Sequence, residues 1–339
     1  MIIVMKPGSG KEQVQHVVKL VREYGLKEHV IQGTDRTVIA CIGDKRGIDK
    51  GAIENAPMVE KIVPILAPYK IASLEVKKEK SQIAIGPQAF PVGGRKVGVI
   101  AGPCSVENRK QLIETAKAVQ DAGCIGIRGG AFKPRTSPYS FQGLGKEGLE
   151  ILAEAREVTG LAVVTEVVAV DQVLLVSQFS DVLQIGARNM QHYPLLEAVG
   201  KTSRPVLLKR GMSASLEELL LAAEYIINAG NKNVILCERG IRTFENYVRN
   251  TLPLAAVAEL QSLTHLPVVV DPSHGTGHAH LVPPMCLAAV AAGADGLLIE
   301  CHLDPEHAAS DGAQSITPAT LKNLMKRLKR IAEAVDRDI

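Results

Sequence analysis

The chain has no tryptophan, and aromatic residues of any kind make up only 3% of its 339 residues. That scarcity excludes the aromatic platforms on which nucleic-acid binders stack bases. The formal charge of +3 excludes the strongly basic face that such binders need. The six cysteines (41, 104, 124, 237, 286 and 301) include no Cys-x-x-Cys pair, a usage that suits a reducing compartment. No segment offers 18 clean apolar residues. The best candidate, 281–298, holds two prolines and Asp295, so no membrane-spanning helix is expected. At the start, Pro7 and Gly8 follow an apolar run of four residues, which is not the pattern of a signal peptide. These absences predict a cytoplasmic protein with neither a nucleic-acid nor a membrane partner.

What is present is ordinary for a globular protein: 46% hydrophobic and 22% charged residues, and length enough for about two domains. Residues 1–76 read as one unit. A strand at 2–5 precedes a helix at 11–24, whose Val14, Val17, Val18 and Val21 form a stripe at helical spacing. Gly25 closes it. Strands at 30–32 and 37–42 flank a Gly-Thr-Asp-Arg turn, and a short helix at 48–55 and a strand at 71–76 follow. The order βαββαβ predicts a ferredoxin-like α+β domain. Its central strand, with Val38, Ile39, Ala40 and Cys41, lacks the exposed aromatics of an RNA-binding version. Small-molecule regulation and oligomerisation remain as its two readings. Residues 77–95 read as a linker with a β-hairpin around Gly86-Pro87.

From residue 96 the pattern becomes strict strand–helix alternation. Short apolar runs fall at 97–100, 125–127, 162–165, 182–185, 206–208, 234–236, 268–270 and 296–299. Continuous apolar strands are buried on both faces, as in a parallel sheet. Eight such units predict a (β/α)8 TIM barrel over 96–339. A doubly wound sheet is the rival. However, Ala-Gly-Pro-Cys follows the first strand where a glycine-rich G-x-G-x-x-G turn would stand.

Barrel enzymes work at the carboxyl ends of their strands. Those ends carry Cys104; Arg128; Glu166; Arg188; Lys209 and Arg210; Glu238 and Arg239; Asp271 and His274; and Glu300 with His302. The loop 128–143 places Arg128, Lys133 and Arg135 beside Thr136 and Ser137, without one acidic residue. It is either a solvated basic loop or a seat for an oxyanion such as phosphate. Two groups emerge. Cys104, His274, Glu300 and, beyond the last strand, Asp311 offer a thiolate, an imidazole and two carboxylates, a set that suits a divalent transition metal. His278, His280 and His302 compete for the imidazole place. Arg128, Lys133, Arg135, Arg188, Lys209 and Arg239 crowd cations into one mouth, more than one phosphate needs, which calls for two phosphorylated substrates or for one phosphate plus a carboxylate. Lys209 also stands where a Schiff-base lysine would, so a class I aldolase is the mechanistic rival. A sugar-phosphate sensor without catalysis would leave the metal group unexplained.

Several motifs carry a resemblance across the whole barrel. They are Ala-Gly-Pro-Cys-Ser-Val-Glu (101–107), Lys-Pro-Arg-Thr-Ser-Pro-Tyr-Ser-Phe-Gln-Gly (133–143), Gly-Ala-Arg-Asn-Met (186–190) and Leu-Lys-Arg-Gly-Met (208–212). Cys-Glu-Arg-Gly-Ile-Arg (237–242), Asp-Pro-Ser-His-Gly-Thr-Gly (271–277) and Ile-Glu-Cys-His (299–302) complete the set. Together they resemble the 3-deoxy-arabino-heptulosonate 7-phosphate (DAHP) synthases, type I beta subclass, some of which carry an amino-terminal ferredoxin-like domain. The related 3-deoxy-manno-octulosonate 8-phosphate synthases have an Asn-containing segment where this chain has Lys133-Pro134-Arg135-Thr136-Ser137.

The resemblance implies condensation of phosphoenolpyruvate with erythrose 4-phosphate, the first step of the shikimate pathway. It implies one divalent metal per subunit (Mn, Fe, Co or Zn) on Cys104, His274, Glu300 and Asp311. Arg128, Lys133, Arg188, Lys209 and Arg239 would hold phosphoenolpyruvate, Arg135 and Thr136 the phosphate of erythrose 4-phosphate, and Asp271 also belongs with the substrate-binding residues. Lys133, Glu166 and His274 would be catalytic, Glu166 handling water and Lys133 a proton. A homotetramer is implied, with tyrosine or phenylalanine as a candidate effector at the amino-terminal domain.

Overall fold

The structure, a computed structural model, describes all residues except 34–35, 44–47, 64–67, 134–138 and 140. The chain divides into two compact units. One is Met1–Lys80 with Leu263–His265, and the other is Ser81–Ser262 with Leu266–Ile339. No helix among the described residues is long and apolar enough to cross a membrane.

The first unit is ferredoxin-like. Its elements are β1 (Ile2–Met5), α1 (Lys11–Glu23), β2 (Lys27–Gln32), β3 (Thr37–Ile42), α2 (Lys50–Glu54) and β4 (Val59–Val63). The sheet runs β2-β3-β1-β4, with every neighbouring pair antiparallel. The valine stripe of α1 faces Ile3, Met5, Ile39 and Cys41. Each large side chain so buried contributes roughly 1.5–3 kcal/mol.

The closing strand is not where the apolar pattern puts it. Residues 71–76 form turns, and β4 lies earlier, at Val59–Val63. Glu60 and Lys61, both exposed, interrupt that strand's apolar pattern. Residues 71–76 are apolar for another reason. Ile71, Ala72 and Val76 are buried, but their neighbours pair with 263–265. Leu74 N donates to the Leu263 carbonyl at 3.1 Å, and His265 Nε2 lies 2.8 Å from the Ile71 carbonyl oxygen.

The second unit opens with a hairpin, β5 (Ile83–Ile85) and β6 (Phe90–Val92). Eight parallel strands follow: β7 (Gly98–Gly102), β8 (Gly126–Arg128), β9 (Ala162–Glu166), β10 (Val182–Ile185), β11 (Val206–Lys209), β12 (Val234–Glu238), β13 (Val268–Val270) and β14 (Gly296–Glu300). They close into a barrel in sequence order, β14 pairing with β7. Ile83, Ile85 and Val92 of the hairpin pack with the interior-facing Ile100, Val164, Leu207 and Leu298. The hairpin sits at the amino-terminal end of the barrel, because a Cβ at Gly86 would lie 2.5 Å from that of Ala162, the first residue of β9. One end is therefore stoppered by apolar residues, and the chemistry is left to the other. Five strands run on into the charged residue that follows the apolar run, so Arg128, Glu166, Lys209, Glu238 and Glu300 are held on regular backbone. Side chains on a strand are positioned more rigidly than side chains on a loop.

Candidate active site

At the carboxyl end of the barrel, Cys104, Glu300 and Asp311 bring one ligand atom each to within 4.8 Å of one another. Cys104 Sγ is 3.1 Å from Asp311 Oδ2. His274 Nε2 lies 3.5 Å from Glu300 Oε1 and 3.9 Å from Asp311 Oδ2. Its other nitrogen, Nδ1, is 2.8 Å from Asp271 Oδ2. With Nδ1–H donating to that carboxylate, Nε2 turns an open lone pair toward the two acids, the arrangement that orients a histidine for a metal. Soft sulfur, imidazole and carboxylate oxygen are together the donor set of a divalent transition metal.

The electrostatics favour the ligating form of His274 and Asp311 but not, without a cation, that of Cys104. Burial pushes the Cys104 thiol up to about 12, helped by Glu300 and opposed by Lys133 and Arg128. A neighbouring cation would reverse this, since a coordinating thiol gives up its proton. Burial lowers the His274 pKa against the pull of Asp271 and Glu300, which keeps the ring neutral and able to ligate. Burial also works against a charge on Asp311, but Arg249, His274 and the Cys104 hydrogen bond outweigh it and hold Asp311 at about 2.

Of the cations expected to receive anions, two are balanced within the protein. Arg128 Nη1 donates to Glu300 Oε1 at 2.6 Å, and Lys209 Nζ donates to Asp271 Oδ2 at 2.6 Å. Each is a buried ion pair. Arg210 is likewise taken by Glu238, at 2.7 Å, and serves the fold. Lys209 thus acts as a cation in a salt link, whereas imine formation needs its lone pair. Asp271 is fully buried. One of its oxygens accepts from Lys209 and faces His274 Nδ1, and the other caps the His274 backbone N–H at 2.9 Å. The resemblance puts Asp271 with the substrate-binding residues; in the structure its carboxylate holds Lys209 and His274.

The remaining cations are differently placed. Arg239 is buried, donates only to the Gly240 carbonyl at 3.3 Å, and forms no ion pair among the described residues. Arg188 is exposed on the turn after β10, also without an ion pair among the described residues. The Arg128 Nε is buried without a hydrogen-bond partner among the described residues. Lys133 Nζ reaches Cys104 Sγ at 2.9 Å and the Cys104 carbonyl at 3.0 Å. Arg135 and Thr136 lie outside the described residues. Glu166 ends β9 and accepts from Gln184 at 3.3 Å. Gly186 lets the carboxylate lie where it does, because a Cβ there would stand 2.1 Å from Glu166 Oε1 and displace it. Of the competing histidines, His278 and His280 pack on each other. His302 Nε2 stands 3.3 Å from Glu107 rather than with Glu300.

A family model described as the DAHP synthetase I family matches residues 75–337. The chain belongs to this family. A second model, the DAHP synthase ferredoxin-like domain, matches residues 1–67, so both units have counterparts among DAHP synthases. A phospho-2-dehydro-3-deoxyheptonate aldolase of Thermotoga maritima is 48% identical over 335 residues, 99% of this chain and 98% of the relative. The crystal structure of a DAHP synthase from that organism superposes with a TM-score of 0.79 at 47% identity, covering 99% of this chain and 98% of that one. A 2-dehydro-3-deoxyphosphooctonate aldolase of Nitratidesulfovibrio vulgaris is 34% identical over 251 residues, 69% of this chain and 91% of the relative. That relative shares a barrel-sized stretch, whereas the heptonate aldolase matches the chain from end to end. The DAHP synthase family is one of enzymes, and this chain is one of them.

Proposed function

We propose that the enzyme joins phosphoenolpyruvate to erythrose 4-phosphate and water, releasing phosphate and a seven-carbon 3-deoxy sugar acid phosphate, with a divalent cation on Cys104, His274, Glu300 and Asp311. The observation that carries this reading is the position of Lys133. Its ammonium touches Cys104 Sγ at 2.9 Å, so Lys133 and the candidate metal ligands are parts of one site.

Phosphoenolpyruvate carries a phosphate and a carboxylate. Arg239 and Arg188, which have no ion-pair partner among the described residues, suit the phosphate, and the free Nε of Arg128 adds a donor. Guanidinium groups hold such oxyanions through forked bonds. Arg135 and Thr136 hold the phosphate of the second substrate. Fixing two anions side by side supplies the orientation and offsets their repulsion. Cys104, His274, Glu300 and Asp311 would hold a divalent cation, which would supply Lewis-acid polarisation of the aldehyde. C3 of phosphoenolpyruvate forms its bond to the aldehyde carbon, and Lys133 Nζ delivers a proton to the oxygen that becomes a hydroxyl. Glu166 orients the water that adds at C2 and takes up its proton. The C2–O bond to the phosphate oxygen then breaks as the new C2 hydroxyl becomes the keto carbonyl, and the hydroxyl proton leaves with inorganic phosphate.

The test is release of inorganic phosphate from phosphoenolpyruvate. It should require erythrose 4-phosphate, and a five-carbon aldose phosphate should not replace it. The five-carbon sugar is the informative rival, because an octonate product needs three carbons plus five. Faster turnover with the pentose phosphate would move the chain's activity to that of the octonate relatives.

The ferredoxin-like unit gives the enzyme either feedback inhibition by tyrosine or phenylalanine, or its assembly into a tetramer. Deleting residues 1–76 separates the two. A regulatory unit predicts that condensation persists while inhibition by the amino acid disappears. An assembly unit predicts smaller particles in light scattering, with nothing to lose in inhibition.

A further inference from the structure

Two of the four candidate metal ligands are tied together by two residues that are not themselves in the ligand group, Arg249 and Gln314. Arg249 Nη1 donates to Asp311 Oδ1 at 3.0 Å and to Gln314 Oε1 at 2.8 Å. The other end of the Gln314 amide, Nε2, donates to Glu300 Oε2. One continuous run of hydrogen bonds therefore reads Asp311–Arg249–Gln314–Glu300. In both acids it holds the oxygen that faces away from the cluster: Asp311 Oδ2 faces Cys104, and Glu300 Oε1 faces His274 and Arg128.

The backbone is built to allow this. Asp311 adopts a left-handed conformation (φ 52°) and caps a short 3-10 turn, Gly312–Gln314. On such a turn residues three apart eclipse one another, so Asp311 and Gln314 present their side chains to the same guanidinium. Gln314 is 2% exposed. Arg249 and Asn250 are fitted between two glycines in left-handed conformations. A Cβ at Gly277 would stand 2.5 Å from the Arg249 Cβ, and one at Gly240 would stand 2.8 Å from the Asn250 Cβ. Asn250 also holds the loop of the third ligand, its Nδ2 donating to the His274 carbonyl at 2.9 Å. The base of this excursion is pinned by the Ile241 and Thr251 backbones, bonded to each other in both directions at 2.9 Å.

We propose that Arg249 and Gln314 are positioning residues that fix Glu300 and Asp311 as a pair, so that metal affinity and coordination geometry depend on this strap. The strap converts two independently rotating carboxylates into a preset pair of ligands. Partners in the layer behind metal ligands are worth on the order of 10- to 100-fold in metal affinity. This inference rests on the reading of the four-residue group as a metal centre.

The test uses the full chain stripped of metal and titrated with Co2+, read by the visible ligand-field and thiolate-to-cobalt bands and by competition with a chelator. Arg249→Met and Gln314→Ala should each weaken Co2+ binding by roughly 10- to 100-fold and shift the ligand-field bands. Arg249→Lys, which keeps a cationic donor, should recover part of the affinity. The double variant should be little weaker than the weaker single variant, because both substitutions break one strap. Gln314→Ala changes no charge and reads the strap by itself should Arg249→Met lose its fold. Wild-type affinity and an unchanged spectrum in the folded variants would overturn the proposal, as would costs that simply add. Failure of the wild-type protein to bind Co2+ with a thiolate band would instead overturn the metal centre itself.

Discussion

Replacing Arg239 with methionine should lower kcat/KM for phosphoenolpyruvate by roughly 10²–10³-fold, the usual effect of removing one preorganised donor from a site where anionic charge is handled. The same change should leave thermal stability unharmed or raise it. The two signs follow from one observation. Arg239 is buried, its bond goes to a backbone carbonyl, and it forms no ion pair among the described residues. Burial accordingly lowers its pKa, with Asp271 pulling the other way and Arg249 adding to the fall. A buried guanidinium without a counter-charge costs folding free energy, and a ligand's oxyanion would offset that cost. Arg128 is the contrasting control. It is also buried, but it is paired with the fully buried Glu300. Arg128→Met would leave that carboxylate uncompensated, at a cost of about 3–5 kcal/mol. The measurements are steady-state kinetics and thermal melts of both variants without ligand. A destabilised Arg239→Met with unchanged kinetics would place Arg239 in the scaffold.

The contrast marks what the sequence could and could not convey. Counting cations at the strand ends found Arg128, Lys209 and Arg239 alike, and crowding made all of them look unpaired. Pairing is a matter of which side chains converge. Arg128 meets Glu300 from 172 residues away, and Lys209 meets Asp271 from 62. The barrel was legible because eight apolar runs at regular spacing have few other uses. Their ends were read short, however. Glu166, Lys209, Glu238 and Glu300 continue the strand ladders, since a barrel strand near its mouth can turn a charged side chain out of the apolar layer without ending its pairing. In the ferredoxin-like unit the error ran the other way. The apolar run at 71–76 looked like a strand because it is buried, while β4 hid behind Glu60 and Lys61. The partner that satisfies 71–76, residues 263–265, lies nearly two hundred positions away, where no local pattern points.

The candidate site shows the same division. Cys104, His274, Glu300 and Asp311 could be grouped from the sequence because each is a ligand-type residue at the carboxyl end of a strand or in the loop that follows it. Gln314 and Arg249 could not, because neither is a ligand type. The one local trace is the spacing of Asp311 and Gln314, three residues apart on a 3-10 turn whose existence the sequence did not announce. Gly240 and Gly277 sit inside sequence motifs, yet their purpose becomes visible only when Arg249 and Asn250 are seen to fill the space that a side chain would occupy.

The cation centre is the claim on which the most depends. Three ligand atoms within 4.8 Å of one another, with the His274 Nε2 lone pair directed at two of them, form a cluster of like-charged oxygens around a buried sulfur. Such a set is held together by Arg128, Lys133 and Arg249 at its rim. A divalent ion at its centre would supply several kcal/mol of polarisation to the aldehyde, which at about 1.4 kcal/mol per tenfold is a rate factor of roughly 10³ or more. The most direct measurement is therefore phosphate release from phosphoenolpyruvate and erythrose 4-phosphate after exhaustive treatment with a chelator, with metal content assayed on the same sample. The account predicts that activity falls by roughly three orders of magnitude or more as the metal leaves. Addition of one equivalent of Mn2+ or Zn2+ per subunit should then restore it in the wild-type protein but not in Cys104→Ala. Full activity in a sample shown to contain no divalent metal would contradict it.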